Sequence, residues 1–213
     1  MLERMVWVDQ AATAAEVTAM QMFRDLFSKE ALRPGKQFSV GNLAVLFTDI
    51  QGSTRLYREL GDAPAFGIVM EHFELLRDAI EAEGGALVKT IGDSVMVAFT
   101  RPIVGMRMVA RVQQLLASLA VGERPLLLKA GLHYCLSIAV TLNDQLDYFG
   151  STVNIGSRLE ALSQGGDVIN FQAVRRDPEV ADFLEQPECC DSVEPIDAEL
   201  KGFENERFDL SRV

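Results

Sequence analysis

The stretch L-A-V-L-F-T-D-I-Q-G-S-T, residues 43–54, changes character halfway along. Leu43 to Phe47 is a short unbroken apolar run, the pattern of a strand buried within a sheet. Thr48-Asp49 ends the run. Ile50-Gln51-Gly52-Ser53-Thr54 reads as a turn into a helix beginning near Ser53. The unit is therefore strand, turn, helix, with the carboxylate of Asp49 at the strand's end. Gly52 lets backbone approach a ligand closely. Ser53 can cap the helix, whose free N–H groups favour phosphate. Each feature alone also suits an ordinary turn or cap.

Upstream, Val17, Met20, Phe23 and Phe27 recur at helical spacing, which predicts an amphipathic helix over 11–31, broken by Arg33-Pro34-Gly35. Downstream, Phe66, Val69, Met70, Phe73, Leu76 and Ile80 mark a second helix, closed by Gly84-Gly85. Ala86–Lys89 and Ser94–Phe99 read as strands around a tight turn holding Gly92-Asp93. Pro102 opens a third helix, a position where proline is tolerated. Leu126–Leu132 and Leu136–Thr141 read as a hairpin, and Gly150–Leu162 as a helix ended by Gly165-Gly166. Val168–Phe171 reads as a short strand, and the acidic tail as a strand pair near Phe208. This order predicts an α+β sandwich, one sheet carrying helices on one face. Residues 1–40 form a helix and linker, and residues 41–213 the main domain.

Composition narrows the function. Hydrophobic residues are 48% of the 213, enough for a sizeable core. The net charge of −11 argues against nucleic acid or an anionic membrane as partner. An anionic substrate then needs local positive groups or metal. Cys135, Cys189 and Cys190 are odd in number and two are adjacent, against a disulfide framework and in keeping with a reducing cytoplasm. No run of about 18 apolar residues is present, and the first ten residues do not read as a signal peptide.

The chemistry lies in scattered polar residues. Asp93 sits in a strand-to-strand turn, and neighbouring strand ends can bring it to Asp49. Two such carboxylates repel unless they share metal, and a two-metal pair serves phosphoryl displacement. Asn154 and Arg158 are four apart, so they share one face of a helix. They could hold a ribose and a phosphate, or be a solvated arginine with a nearby amide. Lys89 could be a solvated edge residue or a donor into a pocket.

Together, F-T-D-I-Q-G-S-T (47–54), K-T-I-G-D (89–93) and D-Y-F-G-S-T-V-N-I-G-S-R (147–158) resemble the class III adenylyl and guanylyl cyclase catalytic domain. The resemblance spans about residues 41–212. It implies a ferredoxin-like α+β fold that dimerises head to tail, making 41–213 a cyclase catalytic domain. It implies that Asp49, Asp93 and the Ile50 carbonyl hold two Mg²⁺ or Mn²⁺ ions, and that amides around Gly52 and Ser53 hold phosphates. Lys89 and Asp147 would read adenine; guanylyl cyclases have Glu and Cys-like residues at these places, so ATP is the implied substrate. Asn154 would orient the ribose, Arg158 would stabilise the α-phosphate, and Lys201 of Leu200-Lys201-Gly202 would bind phosphate. Each site would be shared between two chains of a homodimer, in the cytoplasm or in the cytoplasmic part of a larger protein, with an N-terminal sensor as a further partner.

This sequence departs from the family's pattern at Gly156, where Ala is usual, at Phe149, where Trp is frequent, and at Cys135, where Gly often stands. His133 reads as structural. A nucleotide-sensing module without chemistry is the competing class. Gly165-Gly166-Asp167 only superficially resembles a diguanylate cyclase loop.

Overall fold

The computed structural model describes residues 11–27, 29–30, 36–118, 120–121, 124–186, 192–203 and 206–213. The chain opens with α1 (Ala14–Thr18), which starts at a capping box: the Thr13 hydroxyl accepts from the Glu16 amide while the Glu16 carboxylate accepts from the Thr13 amide. After a break at Ala19-Met20 comes α2 (Gln21–Phe27). The single helix expected over 11–31 is thus two short ones among the described residues. Its expected apolar stripe does not face the core as a whole, since Met20 and Phe27 are exposed while Thr18, Ala19 and Arg24 are buried. Arg24 donates back to the Thr18 carbonyl, a contact that ties α2 to the end of α1. Residues 28 and 31, Arg33-Pro34-Gly35, Cys189 and Cys190 lie outside the described residues.

Next come β1 (Gln37–Ile50), α3 (Ser53–Leu60), α4 (Asp62–Ala82), β2 (Ala86–Ile91), β3 (Ser94–Phe99) and α5 (Pro102–Ser118). A small pair, β4 (Ala120–Val121) and β5 (Arg124–Pro125), precedes β6 (Leu128–Leu142) and β7 (Gln145–Phe149). The chain ends with α6 (Ser151–Leu162), β8 (Asp167–Phe171), α7 (Gln172–Arg175), α8 (Pro178–Leu184), β9 (Glu194–Glu199) and β10 (Arg207–Arg212). The main sheet runs β2-β3-β1-β6-β8-β10-β9, and β7 pairs with β6. The β6–β8 pair is parallel and the others are antiparallel. The fold is α+β, as expected. Among the described residues no helix is long and apolar enough to cross a membrane.

The hairpin expected between 126–132 and 136–141 is instead the single strand β6. His133, Tyr134 and Cys135 continue its pairing with Val45, Ala44 and Leu43. No turn-forming residue interrupts them. The hairpin turn is Asn143-Asp144, both at positive φ (50° and 59°), which joins β6 to β7 with Leu142 opposite Gln145. Asn and Asp tolerate this left-handed backbone in two-residue loops.

The run 43–47 is buried on both faces. Ala44 and Leu46 join Leu76, Ile80, Ile103 and Val109 from α4 and α5. Leu43, Val45 and Phe47 join Ala19, Tyr148 and Val153 on the other side, with Phe23 packed against them. Helices therefore cover both faces at β1, where a single covered face was expected, and the unbroken apolar run is the signature of that arrangement. A third cluster, Leu159, Ile169, Leu200 and Leu210, seats α6 against β8 and β10.

Candidate active site

Two carboxylates meet where β1 runs out. Thr48 pairs with Val95, which sets the end of β1 beside the β2–β3 turn. The Ser94 hydroxyl donates to Asp49 Oδ1 at 2.7 Å. Burial pushes the Asp49 carboxyl up from 3.8 to about 6; Asp93 and Glu160 push the same way, and the Ser94 hydrogen bond opposes them. Asp93 follows Gly92 in the turn, and its Oδ2 is buried with no hydrogen-bond partner among the described residues. A buried carboxylate oxygen without a partner, beside a second carboxylate in like-charge repulsion, suits a hard divalent cation. Among the described residues no group of three or more His, Cys, Asp or Glu is placed to hold a metal. Two carboxylates could hold a hard divalent cation only with further oxygens from a phosphate ligand or water.

Lys129 belongs to this neighbourhood, although no sequence motif singles it out. It lies directly opposite Asp49 in the β1–β6 register. Its Nζ pairs with Glu160 Oε1 of α6 at 2.6 Å, with both side chains largely buried. The available signal was a lysine inside the apolar run Leu126–Leu132, but only the register gives its proximity to Asp49.

Past Asp49, the Ile50 side chain is buried and its backbone is paired with Leu128. Gly52 takes φ 72° and ψ 27°, a left-handed conformation that glycine adopts without strain. It is the N-cap of α3 and gives no side-chain cap, so Ser53, expected as the cap, is instead the first helical residue. A Cβ at Gly52 would meet nothing within 4 Å, so the approach to these amides is open. An uncapped helix start leaves amides free to face an anion, and a cation on the neighbouring carboxylates would offset their repulsion of it.

Lys89 and Asp147 come together from distant strands. Lys89 Nζ donates to Asp147 Oδ2 at 2.6 Å, and the Tyr148 amide donates to Asp147 Oδ1 at 2.7 Å. Asp147 is 7% exposed while the Lys89 side chain is 32% exposed. The result is a fixed acceptor beside a donor that can reach solvent.

α6 carries Asn154 and Arg158, both exposed. Its opposite face is pressed onto the sheet: Val153, Gly156 and Leu159 are buried, and Glu160 stands by Lys129. At 3.6 residues per turn, Asn154 and Arg158 lie about 120° and 160° round the helix from Glu160. They point away from the carboxylates of their own chain. The close seating depends on Gly131 of β6, where a Cβ would fall 2.2 Å from the Glu160 backbone nitrogen. Gly156 faces Phe47, whose ring would lie 3.0 Å from an added Cβ. His133 packs its ring 4.7 Å from that of Phe171, and burial drives its pKa down to about 4, in keeping with a structural residue. Lys201 is exposed in the turn after Leu200, whose side chain is buried with Leu159.

Comparison with known proteins bears on this arrangement. Residues 36–177 match the family model described as the adenylate and guanylate cyclase catalytic domain. An uncharacterised protein of Mycobacterium tuberculosis is 33% identical over 129 residues, 61% of this chain and 32% of that protein. An adenylate cyclase of Lachancea kluyveri is 30% identical over 159 residues, 64% of this chain and 9% of that protein. The chain thus spans about a third or less of these relatives. A solved structure of adenylate cyclases from Trypanosoma brucei in their monomeric state superposes with a TM-score of 0.69 at 21% identity, covering 81% of this chain and 89% of that one.

Proposed function

The chain belongs to the adenylate and guanylate cyclase catalytic domain family, and we propose on that basis that it is an adenylate cyclase, converting ATP to 3′,5′-cyclic AMP and pyrophosphate. The observation that carries the choice of ATP is the Lys89–Asp147 pair, 2.6 Å apart. A lysine donates to adenine N1 and a carboxylate accepts from the 6-amino group. Guanine presents a donor at N1 and an acceptor at O6, so both contacts would be mismatched, and a buried mismatch discriminates strongly.

In this reading Asp49, Asp93 and the Ile50 carbonyl hold two Mg²⁺ or Mn²⁺ ions. When bound, these would supply positive charge to the phosphates and acidify the ribose hydroxyl. The amides at Gly52 and Ser53, with Lys129 and Lys201, hold the terminal phosphates. Asn154 orients the ribose so that O3′ lines up with the α-phosphorus. O3′ forms the new P–O bond, the α–β bridging bond breaks, and pyrophosphate leaves as the hydroxyl proton is released. Arg158 stabilises the charge that grows on the α-phosphate.

The site is shared between two copies of the chain in a homodimer. The support is the direction of Asn154 and Arg158, which face solvent and away from Asp49 on their own chain. One copy supplies the carboxylates, and the other supplies Lys89, Asp147, Asn154 and Arg158.

The test is direct. Purified protein with ATP and Mn²⁺ or Mg²⁺ releases cyclic AMP and pyrophosphate. A dimeric preparation that yields neither product with either metal overturns the reading.

A further inference from the structure

Arg24 of α2 is 5% exposed, an unusual place for a guanidinium. It makes no ion pair with a carboxylate among the described residues. Its Nη1 donates to the Thr18 carbonyl at 3.2 Å, its Nη2 donates to the Leu146 carbonyl, and its Cζ sits 5.4 Å from the centre of the Tyr148 ring. Leu146 and Tyr148 are the residues on either side of Asp147. The same helix reaches the other half of the pair: Gln21 Oε1 accepts from the Leu87 amide at 2.7 Å, two residues before Lys89. An open cavity of about 330 Å³ adjoins Gln21, Arg24, Lys89 and Gln145. Lys89 is thus unpacked on that side, so its ammonium stands where Asp147 and the backbone position of β2 together place it.

From this we infer that α2 is a clamp across the two strands that read the base, and that Arg24 is a positioning residue for nucleotide selection. This rests on the adenylate cyclase reading. β2 and β7 are not hydrogen-bonded to each other, and β3, β1 and β6 lie between them in the sheet. The sheet ladder alone therefore leaves the Lys89–Asp147 spacing open to slippage. Arg24 holds β7 at both flanks of Asp147, by one hydrogen bond to the Leu146 carbonyl and by its guanidinium over the Tyr148 ring, while its other nitrogen ties it to Thr18; a lysine cannot reproduce this planar set of contacts. Gln21 fixes β2. A force or partner acting on the N-terminal helices would reach base recognition through these contacts.

The experiment compares ATP and GTP as substrates for the full chain, as wild type and as Arg24→Gln, Arg24→Lys and Gln21→Ala. Val180→Ala in α8, remote from the pair, serves as a stability control. Arg24→Gln should lower kcat/KM for ATP by about ten- to a hundredfold, the effect of misplacing a reacting group from a distance. The ATP-to-GTP ratio should fall with it, Arg24→Lys and Gln21→Ala should fall between, and Val180→Ala should lower the melting temperature without moving the ratio. Calorimetric binding of ATP and GTP gives the same ratio independently of turnover. A wild type that binds but does not cyclise overturns the cyclase reading alone. A folded Arg24→Gln with an unchanged ratio overturns the clamp, and if Arg24→Gln does not fold, an unchanged ratio in Gln21→Ala does so.

Discussion

Lys89 Nζ and Asp147 Oδ2 stand 2.6 Å apart, although β3, β1 and β6 separate their strands in the sheet. The pair forms because the β6–β7 hairpin folds back so that β7 meets β2 directly. Two residues 58 positions apart in the chain thus act as one recognition element.

Breaking that element should show in substrate choice. Asp147→Asn keeps the size and removes the negative charge of the group that accepts from Lys89. A hydrogen bond to a charged group contributes about 1.5–3 kcal/mol, so kcat/KM for ATP should fall about ten- to a hundredfold. Initial rates with ATP and GTP at fixed Mn²⁺ check this, and the loss should be larger for ATP.

Asp49 and Asp93 should trade stability for activity. With no metal added, Asp49→Asn removes a carboxylate that burial, Asp93 and Glu160 all disfavour in its charged form. At pH 8 without divalent ions, the variant should melt at a higher temperature than wild type. The same variant should lose the stabilisation that Mn²⁺ gives wild type and should lose turnover. Thermal melts with and without Mn²⁺ separate the two effects.

The seating of α6 should tolerate a methyl group at one glycine and not at the other. Gly131→Ala places a Cβ 2.2 Å from the Glu160 backbone nitrogen and 2.8 Å from its Cα, where only a backbone shift gives relief. The expected loss is at the upper end of the roughly 1–3 kcal/mol typical of overpacking, with activity falling as α6 moves. Gly156→Ala presses on the Phe47 ring at 3.0 Å, an overpacking loss of about 1 kcal/mol that the similar preference for Ala over Gly inside a helix offsets, so its net change should be near zero. Urea unfolding midpoints measure both.

Acid should weaken the fold through histidine. His72 is buried in α4 with neither ring nitrogen bonded among the described residues. Burial pushes its pKa down to about 4, with Asp93 acting against that, and burial does the same to His133. In the unfolded chain both titrate near 6.5. Between those values the unfolded chain holds more protons, so stability falls as pH drops from about 6.5 towards 4. Asp49 has the opposite sign: its folded pKa is raised to about 6, so its contribution is lost as pH rises through that value. His72→Leu should therefore flatten the acid limb of a stability–pH profile measured by urea unfolding, and an unchanged slope would assign that limb to other groups.

Local reading went furthest where one stretch of chain carries its own reasons. The strand–turn–helix at 43–54, the β2–β3 hairpin, the proline that opens α5 and the helix α6 all follow from apolar period, turn residues and caps. It went wrong where those signals were weak or needed a partner. His133, Tyr134 and Cys135 break the apolar run and suggest a hairpin there, while the continuity of β6 comes from its pairing with β1. The N-terminal stripe suggests one amphipathic helix, but the chain buries Arg24 and exposes Met20 and Phe27, since the carbonyls of Thr18 and Leu146 reward a donor there.

The order of residues carries the chemical groups, their place at strand ends and helix starts, and, through three spaced motifs, the family. Those properties depend on residues within a few positions of one another. Which groups meet follows from folding alone: Lys129 opposite Asp49, the joining of Lys89 to Asp147, and the grip of Arg24 on both neighbours of Asp147. Each of these depends on strand register, sheet order or helix docking. Such long-range pairings are set by the burial of the whole core, and no local pattern records them.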